Sequence, residues 1–361
     1  MSIKIALLSG AFKNAGDYLI EQRSKMLFER LIPDSEVRVY LRNKIIKEID
    51  NINQCDAVVL SGGPIFMTDL DGYLPLPFLS ERLCRPLSII GGGWYGFGDG
   101  NNQVGRYRFS KSTAGFFREI MYKGGVVSAR DTLTHEMLVN NGLVQSMLTG
   151  CPAWYDLNYI NCTEIRSNPN PNNIIISDPA DYYNYKSCIS LIRYVRERFP
   201  SATIKFAFHR GVSAAAKPIV EELTRLCIEK LDLSGNSSGF SIYDHCDLHI
   251  GYRVHAHIYN LSIRNKTILI EEDGRGAGVD RTLGLPGIKA YSDLLHSSSL
   301  LVHKVYKRTF LYENKRMIDE IESYLNILDK TNNLYFVNAF ALQREYFQTM
   351  KEAIAKSLTI Q

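Results

Sequence analysis

The chain has no apolar run approaching the roughly 18 residues that a membrane span requires, and its seven cysteines contain no C-x-x-C pair. The first absence argues against a helical membrane protein. The second, with cysteines odd in number and scattered, argues against a disulfide scaffold and fits a reduced cytosolic chain. An excess of one charge is also missing. The 42 basic and 38 acidic residues leave a net charge of +4, too little for a dedicated nucleic-acid binder. No G-x-x-x-x-G-K-[ST] occurs, so phosphate is not handled by a P-loop. "MSIKIALLSG" turns polar after about six apolar residues, which reads as a first strand and not as a signal peptide. The expected location is the cytoplasm, with at most peripheral contact at the inner face of the membrane.

What is present is rhythm. Short apolar runs at 3–9, 37–41, 56–63, 86–93, 125–129 and 146–150 alternate with segments of helical period, such as 18–32 with its stripe at 19, 20, 27, 28 and 31. The runs are apolar throughout, as parallel strands buried on both faces should be. A polar Asn/Pro-rich stretch at 161–173 interrupts the series. A second series follows: strands at 173–178, 203–210 and 266–273, helices across 184–199 and 213–231, then amphipathic helices at about 315–329 and 338–358. The expectation is an α/β protein of two doubly wound Rossmann-like domains facing across a cleft. They would span 1–165 and 172–330, with a C-terminal helix in 331–361 packing back on the first. Ligands in such folds sit beyond the carboxyl ends of the strands.

Two pattern matches fail on context. "GGGWYG" (91–96) fits G-x-G-x-x-G but follows the fourth strand and leads into no helix. "GNSSG" (235–239) fits G-x-S-x-G but follows a segment read as helical. At the strand ends the residues are more telling. After the first strand comes "NAGD", where Gly16 lets a ligand approach the backbone and Asp17 is either a helix N-cap or a functional acid. Gly62 and Gly63 end the third strand, as a tight turn or a ligand loop. Arg130 and Asp131 stand at the end of the fifth.

The densest stretch is "DHCDLHIGYRVHAHIYNL" (244–261), with four histidines, a cysteine and an arginine. A zinc site would draw on His245, Cys246, His249, His255 and His257. If 254–263 is helical, however, His255 and His257 are about 200° apart and cannot share a metal, and His257 joins the buried Val254–Ile258 face. Arg253 and His255 then fall at a helix N-terminus, where anions are favoured and Arg offers a fixed fork. His209 with Arg210, and "EEDGRG" (271–276) with Glu272, Asp273 and Arg275, would line the same cleft.

At this point the residues resemble the polysaccharide pyruvyl transferase family. The matching features are "NAGD" (14–17), "VVLSGGP" (58–64), "SARD" followed by Thr132, "GCPA" (150–153) and "GYRVHAHI" (251–258), with "EEDGRG" at the expected distance. The likeness spans roughly residues 3–285. Departures are Val254 where the family usually has Leu, a second histidine at 257, and Arg275 at what is often a Lys position. The resemblance implies a GT-B-like fold and transfer of pyruvyl from phosphoenolpyruvate onto two sugar hydroxyls, forming a cyclic ketal in polysaccharide (exopolysaccharide or capsule) biosynthesis. Arg253 and His255 would bind phosphoenolpyruvate and Arg130 would hold it from the N-terminal domain. Asn14, Gly16, Asp17, Gly62 and Gly63 would form the acceptor side, and Asp17 or an acid of 271–273 would orient the hydroxyls. Phosphoenolpyruvate is the donor substrate, and no cofactor or metal is implied. Partners would be the donor and a nucleotide- or lipid-linked sugar, with self-association as a homo-oligomer open. The basic, aromatic segment 303–316 would approach a lipid-linked acceptor or serve as a solvated helix flank. The rival readings are a nucleotide-sugar glycosyltransferase, a non-catalytic anion- or glycan-binding protein, and a zinc hydrolase.

Overall fold

The computed structural model describes residues 2–94, 96, 104–166, 170–236, 238–292, 305 and 313–358. Most of the basic segment 303–316, and the "FGDGNN" that follows "GGGWYG", lie outside the described residues. Among the described residues, no helix is long and apolar enough to cross a membrane.

Two parallel sheets organise the chain. The first holds β1 (Ile3–Ser9), β2 (Ser35–Leu41), β3 (Ala57–Ser61), β4 (Pro64–Phe66), β5 (Leu87–Trp94), β6 (Val127–Ala129) and β7 (Met147–Leu148). The second holds β8 (Asn173–Ser177), β9 (Thr203–Phe208), β10 (Glu229–Asp232), β11 (Leu248–Gly251), β12 (Lys266–Glu271) and β13 (Ile288–Lys289). Helices α1 (Ala15–Leu31), α2 (Ile45–Asn53), α3 (Leu76–Arg82), α4 (Lys111–Tyr122) and α5 (Thr132–Asn140) belong to the first half. Helices α6 (Tyr185–Arg198), α7 (Lys217–Arg225), α8 (Val254–Ser262) and α9 (Gly274–Leu283) follow β8, β9, β11 and β12. Two further helices, α10 (Met317–Lys330) and α11 (Leu334–Ser357), end the described chain.

Strand order decides where a ligand can sit. The first sheet runs β2-β1-β3-β5-β6-β7, with β4 beside β5, and the second runs β10-β9-β8-β11-β12-β13. The first order reverses between β1 and β3, the second between β8 and β11. Adjacent crossovers leave those two points in opposite directions and open a crevice at the carboxyl edge. Ser9, Gly10 and Gly62 stand at the first crevice; Ser177, Asp178 and Arg253 stand at the second. The two halves meet there directly: Ala15 N donates to His209 O at 3.0 Å and Gly235 N to Lys13 O at 2.9 Å. Thr132 N, at the start of α5, donates to Thr282 Oγ1 of α9 at 2.8 Å.

The segment between the sheets is tied down by a buried cation. Arg264, at a left-handed φ of 69°, donates to the carbonyls of Cys162, Ile160 and Leu261 and to Gln343 of α11. Tyr346 and Phe347 of the same helix lie against Trp154 and Tyr155, so α11 rests on first-half residues.

Some expectations need correction. The helix read across 213–231 stops at Arg225, because Cys227 takes a left-handed φ of 52° and the chain returns to the sheet as β10. "GNSSG" therefore follows a strand, not a helix, but its last residues already belong to a 3-10 helix, Ser238–His245, instead of the α-helix an elbow needs. The cap of α1 is Asn14, which leaves Asp17 as its third residue.

Candidate functional site

Opposed glycine and histidine mark the centre of the cleft. Gly16 lies in the first turn of α1, and a Cβ there would fall 2.7 Å from Cγ of His255 and nearer still to Nδ1. Only glycine lets the two halves approach this closely. His255 sits in the first turn of α8, its Nε2 shielded from solvent and without a hydrogen-bond partner. Burial, then the charges of Arg130, Arg275, Arg253 and Arg210, push its imidazole down to about 3, so the ring is neutral at ambient pH. Four of the predicted cations thus surround one predicted histidine.

Arg130 is the cation from the first half. It is 1% exposed, with Nε on Asp131 Oδ2 at 3.1 Å and Nη2 buried without a partner. The glycine run of β5 makes room for it, since a Cβ on Gly93 would lie 2.5 Å from its Cζ. Asp131 also caps α5 through Thr134 N at 2.7 Å. Cys151, in the nearby "GCPA", is packing: burial pushes its thiol up to about 11, which leaves it protonated and unreactive at neutral pH.

Arg253 is held differently. Its fork is bidentate on Asp178 (Nε–Oδ1 2.7 Å, Nη2–Oδ2 2.5 Å), at the β8/β11 switch point. Burial works against its charge, but Asp178 outweighs this and the net shift is upward. The pair is neutral overall, so Arg253 meets a ligand with one carboxylate already engaged. Behind it runs a buried hydrogen-bonded chain. Ser177 Oγ accepts from Arg253 N at 3.1 Å and contacts His249 Nε2 at 2.9 Å; Thr267 Oγ1 joins His249 Nδ1 at 2.7 Å to His257 Nδ1 at 3.0 Å. His249 and His257 are therefore internal support, and His245 is exposed.

Two predicted residues turn away from the cleft. The His209 ring packs on Phe240 and meets Tyr243 Oη at 2.9 Å, while its backbone N–H holds Asp178 at 3.1 Å. Burial first, then Arg253, hold it well below the usual histidine range. It shapes the site through Asp178 and not through its imidazole. Glu272 accepts from Ala180 N, Asn184 Nδ2 and Asp181 N at 2.8, 2.8 and 3.0 Å, fixing the loop after β8. Burial lifts it to about 7 despite these donors.

The rest converge. Arg275 grips Asp273, the cap of α9, with Nη2–Oδ2 at 2.7 Å. Asp17 feels Arg42, Arg210 and Arg275; burial nonetheless raises its carboxyl above the ordinary value, also against the Asn14 hydrogen bond. Arg210 is exposed at the rim. Gly62 and Gly63 both have positive φ, and Gly63 lies 3.6 Å, measured from an added Cβ, from Arg42 Nη1. Arg42 was not among the sequence candidates; in "YLRNKIIKE" it reads as an ordinary charge before a helix.

The chain has a two-domain GT-B-like fold, a scaffold it shares with sugar-handling enzymes, and cations gather between its switch points. UDP-GlcNAc 2-epimerase from Neisseria meningitidis, solved with UDP-GlcNAc, superposes with a TM-score of 0.56 at 10% identity over 99% of both chains. The Anabaena protein HepE with UDP and glucose gives 0.51 at 13% identity over 99% of both chains. These likenesses establish fold alone. No curated protein matches the sequence. The profile of the polysaccharide pyruvyl transferase family matches residues 14–259, and the chain belongs to that family.

Proposed function

We propose that this chain transfers the pyruvyl group of phosphoenolpyruvate onto two hydroxyls of a sugar, forming a cyclic ketal and releasing phosphate. One observation carries the reading. Arg130 Nη2 and His255 Nε2 are both sealed from solvent and both unpartnered, and Arg130 is the strongest charge acting on His255. Buried polar atoms are normally satisfied, and the oxyanions of phosphoenolpyruvate would satisfy these.

The donor's negative charge opposes the four arginines, which add to burial in depressing the His255 imidazole, and so favours its taking up a proton. His255 then protonates the methylene carbon of the donor. One acceptor hydroxyl adds to the adjacent carbon, the bond to phosphate breaks, and the second hydroxyl closes the ring. The two hydroxyl protons leave through Asp17 and return to imidazole and phosphate. Arg130 and Arg275 neutralise the departing anion. No electrons are exchanged and no cofactor is required.

Incubation with phosphoenolpyruvate and a panel of nucleotide- and lipid-linked sugars is expected to release phosphate with pyruvylation of one acceptor, read by mass. Nucleotide release without consumption of phosphoenolpyruvate would make the chain a glycosyltransferase; binding without turnover would make it a binding protein. Proton uptake is a second test. Calorimetry of phosphoenolpyruvate binding at about pH 7.5, in two buffers of different ionisation enthalpy, should show about one proton taken up, with affinity weakening as pH rises. Zero uptake would remove His255 as the acid.

A further inference from the structure

The first-sheet crevice carries a cation that the reaction above leaves idle. Arg42 follows β2 immediately, and its guanidinium lies over the Tyr73 ring at 4.3 Å from the centroid. No carboxylate among the described residues pairs with it. Gly10 closes one side of it: a Cβ there would sit 2.6 Å from Cζ. Tyr73 Oη, above the same stack, is buried without a partner. Ser9, Asp17, Glu21, Arg42, Ser61 and Gly63 line one pocket at the β1/β3 switch point, so Arg42 is its cation beside two carboxyls. Asp17 lies between Arg42 and the donor cations, since it feels Arg210 and Arg275 as well as Arg42. The charges that dominate His255 are Arg130, Arg275, Arg253 and Arg210.

We propose that Arg42, stacked on Tyr73, binds an oxyanion carried by the acceptor sugar, making the acceptor an anionic sugar such as a glycosyl phosphate or a uronate. The assignment rests on the functional reading above and names its second substrate class. Stacking holds the guanidinium flat with its N–H edge open, the arrangement that suits bidentate recognition of a planar or tetrahedral oxyanion. Tyr73 Oη would take a sugar hydroxyl. Asp17, between the two cation groups, would face the hydroxyls that react.

The test uses three probes: a hexose 1-phosphate, a hexuronate and a neutral methyl hexoside. Each is titrated into the wild-type chain and into Arg42→Ala, with and without saturating phosphoenolpyruvate; phosphoenolpyruvate is titrated in parallel. The expected result is that one anionic probe binds alongside phosphoenolpyruvate and weakens about tenfold or more in Arg42→Ala. The neutral probe should change less than about twofold, and so should phosphoenolpyruvate itself. Which anionic probe responds distinguishes phosphate from carboxylate. Three outcomes overturn the proposal: no anionic probe binds, phosphoenolpyruvate displaces the anionic probe and weakens equally in the variant, or the neutral probe loses as much as the anionic ones. Failure of the pyruvyl-transfer reading is separate and shows as no binding of phosphoenolpyruvate to the wild-type chain; the probes titrated alone still report on Arg42.

Discussion

Arg130→Met is expected to lower kcat/KM for pyruvyl transfer by about a thousandfold, beyond a stability cost of about 3 kcal/mol from leaving Asp131 buried without its cation. The side chain is 1% exposed and offers Nη2 to nothing in the protein. Its one carboxylate partner, Asp131, keeps a second role as the α5 cap through Thr134 N. Removing the cation leaves Asp131, itself 1% exposed, without its ion-pair partner, and that is the source of the stability cost. With an oxyanion bound, two charge-assisted hydrogen bonds at roughly 1.5–3 kcal/mol each become available, or about 4 kcal/mol and three decades in rate. Methionine keeps the length and removes both the charge and the donors. Phosphate release and a thermal melt on the same preparation read the two effects. Full activity per folded molecule would remove Arg130 from the site and leave it a structural residue.

That separation of roles was only partly legible in the sequence. The long strands were, because β1, β3 and β8 are apolar along their length and flanked by turn residues, which is what two-sided burial writes into a sequence. The short ones were not. β4, β10 and β13 run two to four residues, and β10 is largely exposed, so neither length nor apolarity announces it. The end of α7 depends on a left-handed cysteine, a conformation with no compositional signature. Within the site, the α8 register separated His255 from His257 on helical phase alone. The Asp178–Arg253 pair could not be anticipated, since the partners lie 75 positions apart and meet only because β8 neighbours β11. The inward turn of His209 depends in the same way on Phe240 and Tyr243 packing over it. Arg42 was missed because Tyr73, which gives it an orientation, reaches it only through the fold.

Gly16→Val tests the other half of the cleft, and it should cost far more in activity than the roughly 1–3 kcal/mol of stability usual for overpacking. Valine at this helical position has better intrinsic propensity than glycine, so α1 itself has no reason to unfold. The collision is with His255, whose Cγ lies 2.7 Å from the added Cβ. Helix α1 cannot retreat cheaply, because Ala15 N is bonded to His209 O across the cleft and Leu19 and Ile20 are buried behind it. The imidazole must therefore rotate or the halves must part. A displacement of about 1 Å at a reacting group typically costs a hundredfold, and a loss of that order in kcat is the expected result. The cause is isolated by a double-mutant cycle. If Gly16→Val acts through His255, then Gly16→Val combined with His255→Gly should turn over no more slowly than His255→Gly alone, since the ring that collides is gone. Phosphoenolpyruvate affinity in the double variant should match that of His255→Gly alone. If the two losses multiply instead, glycine at 16 is needed for the acceptor to approach the backbone, and the contact with His255 is incidental.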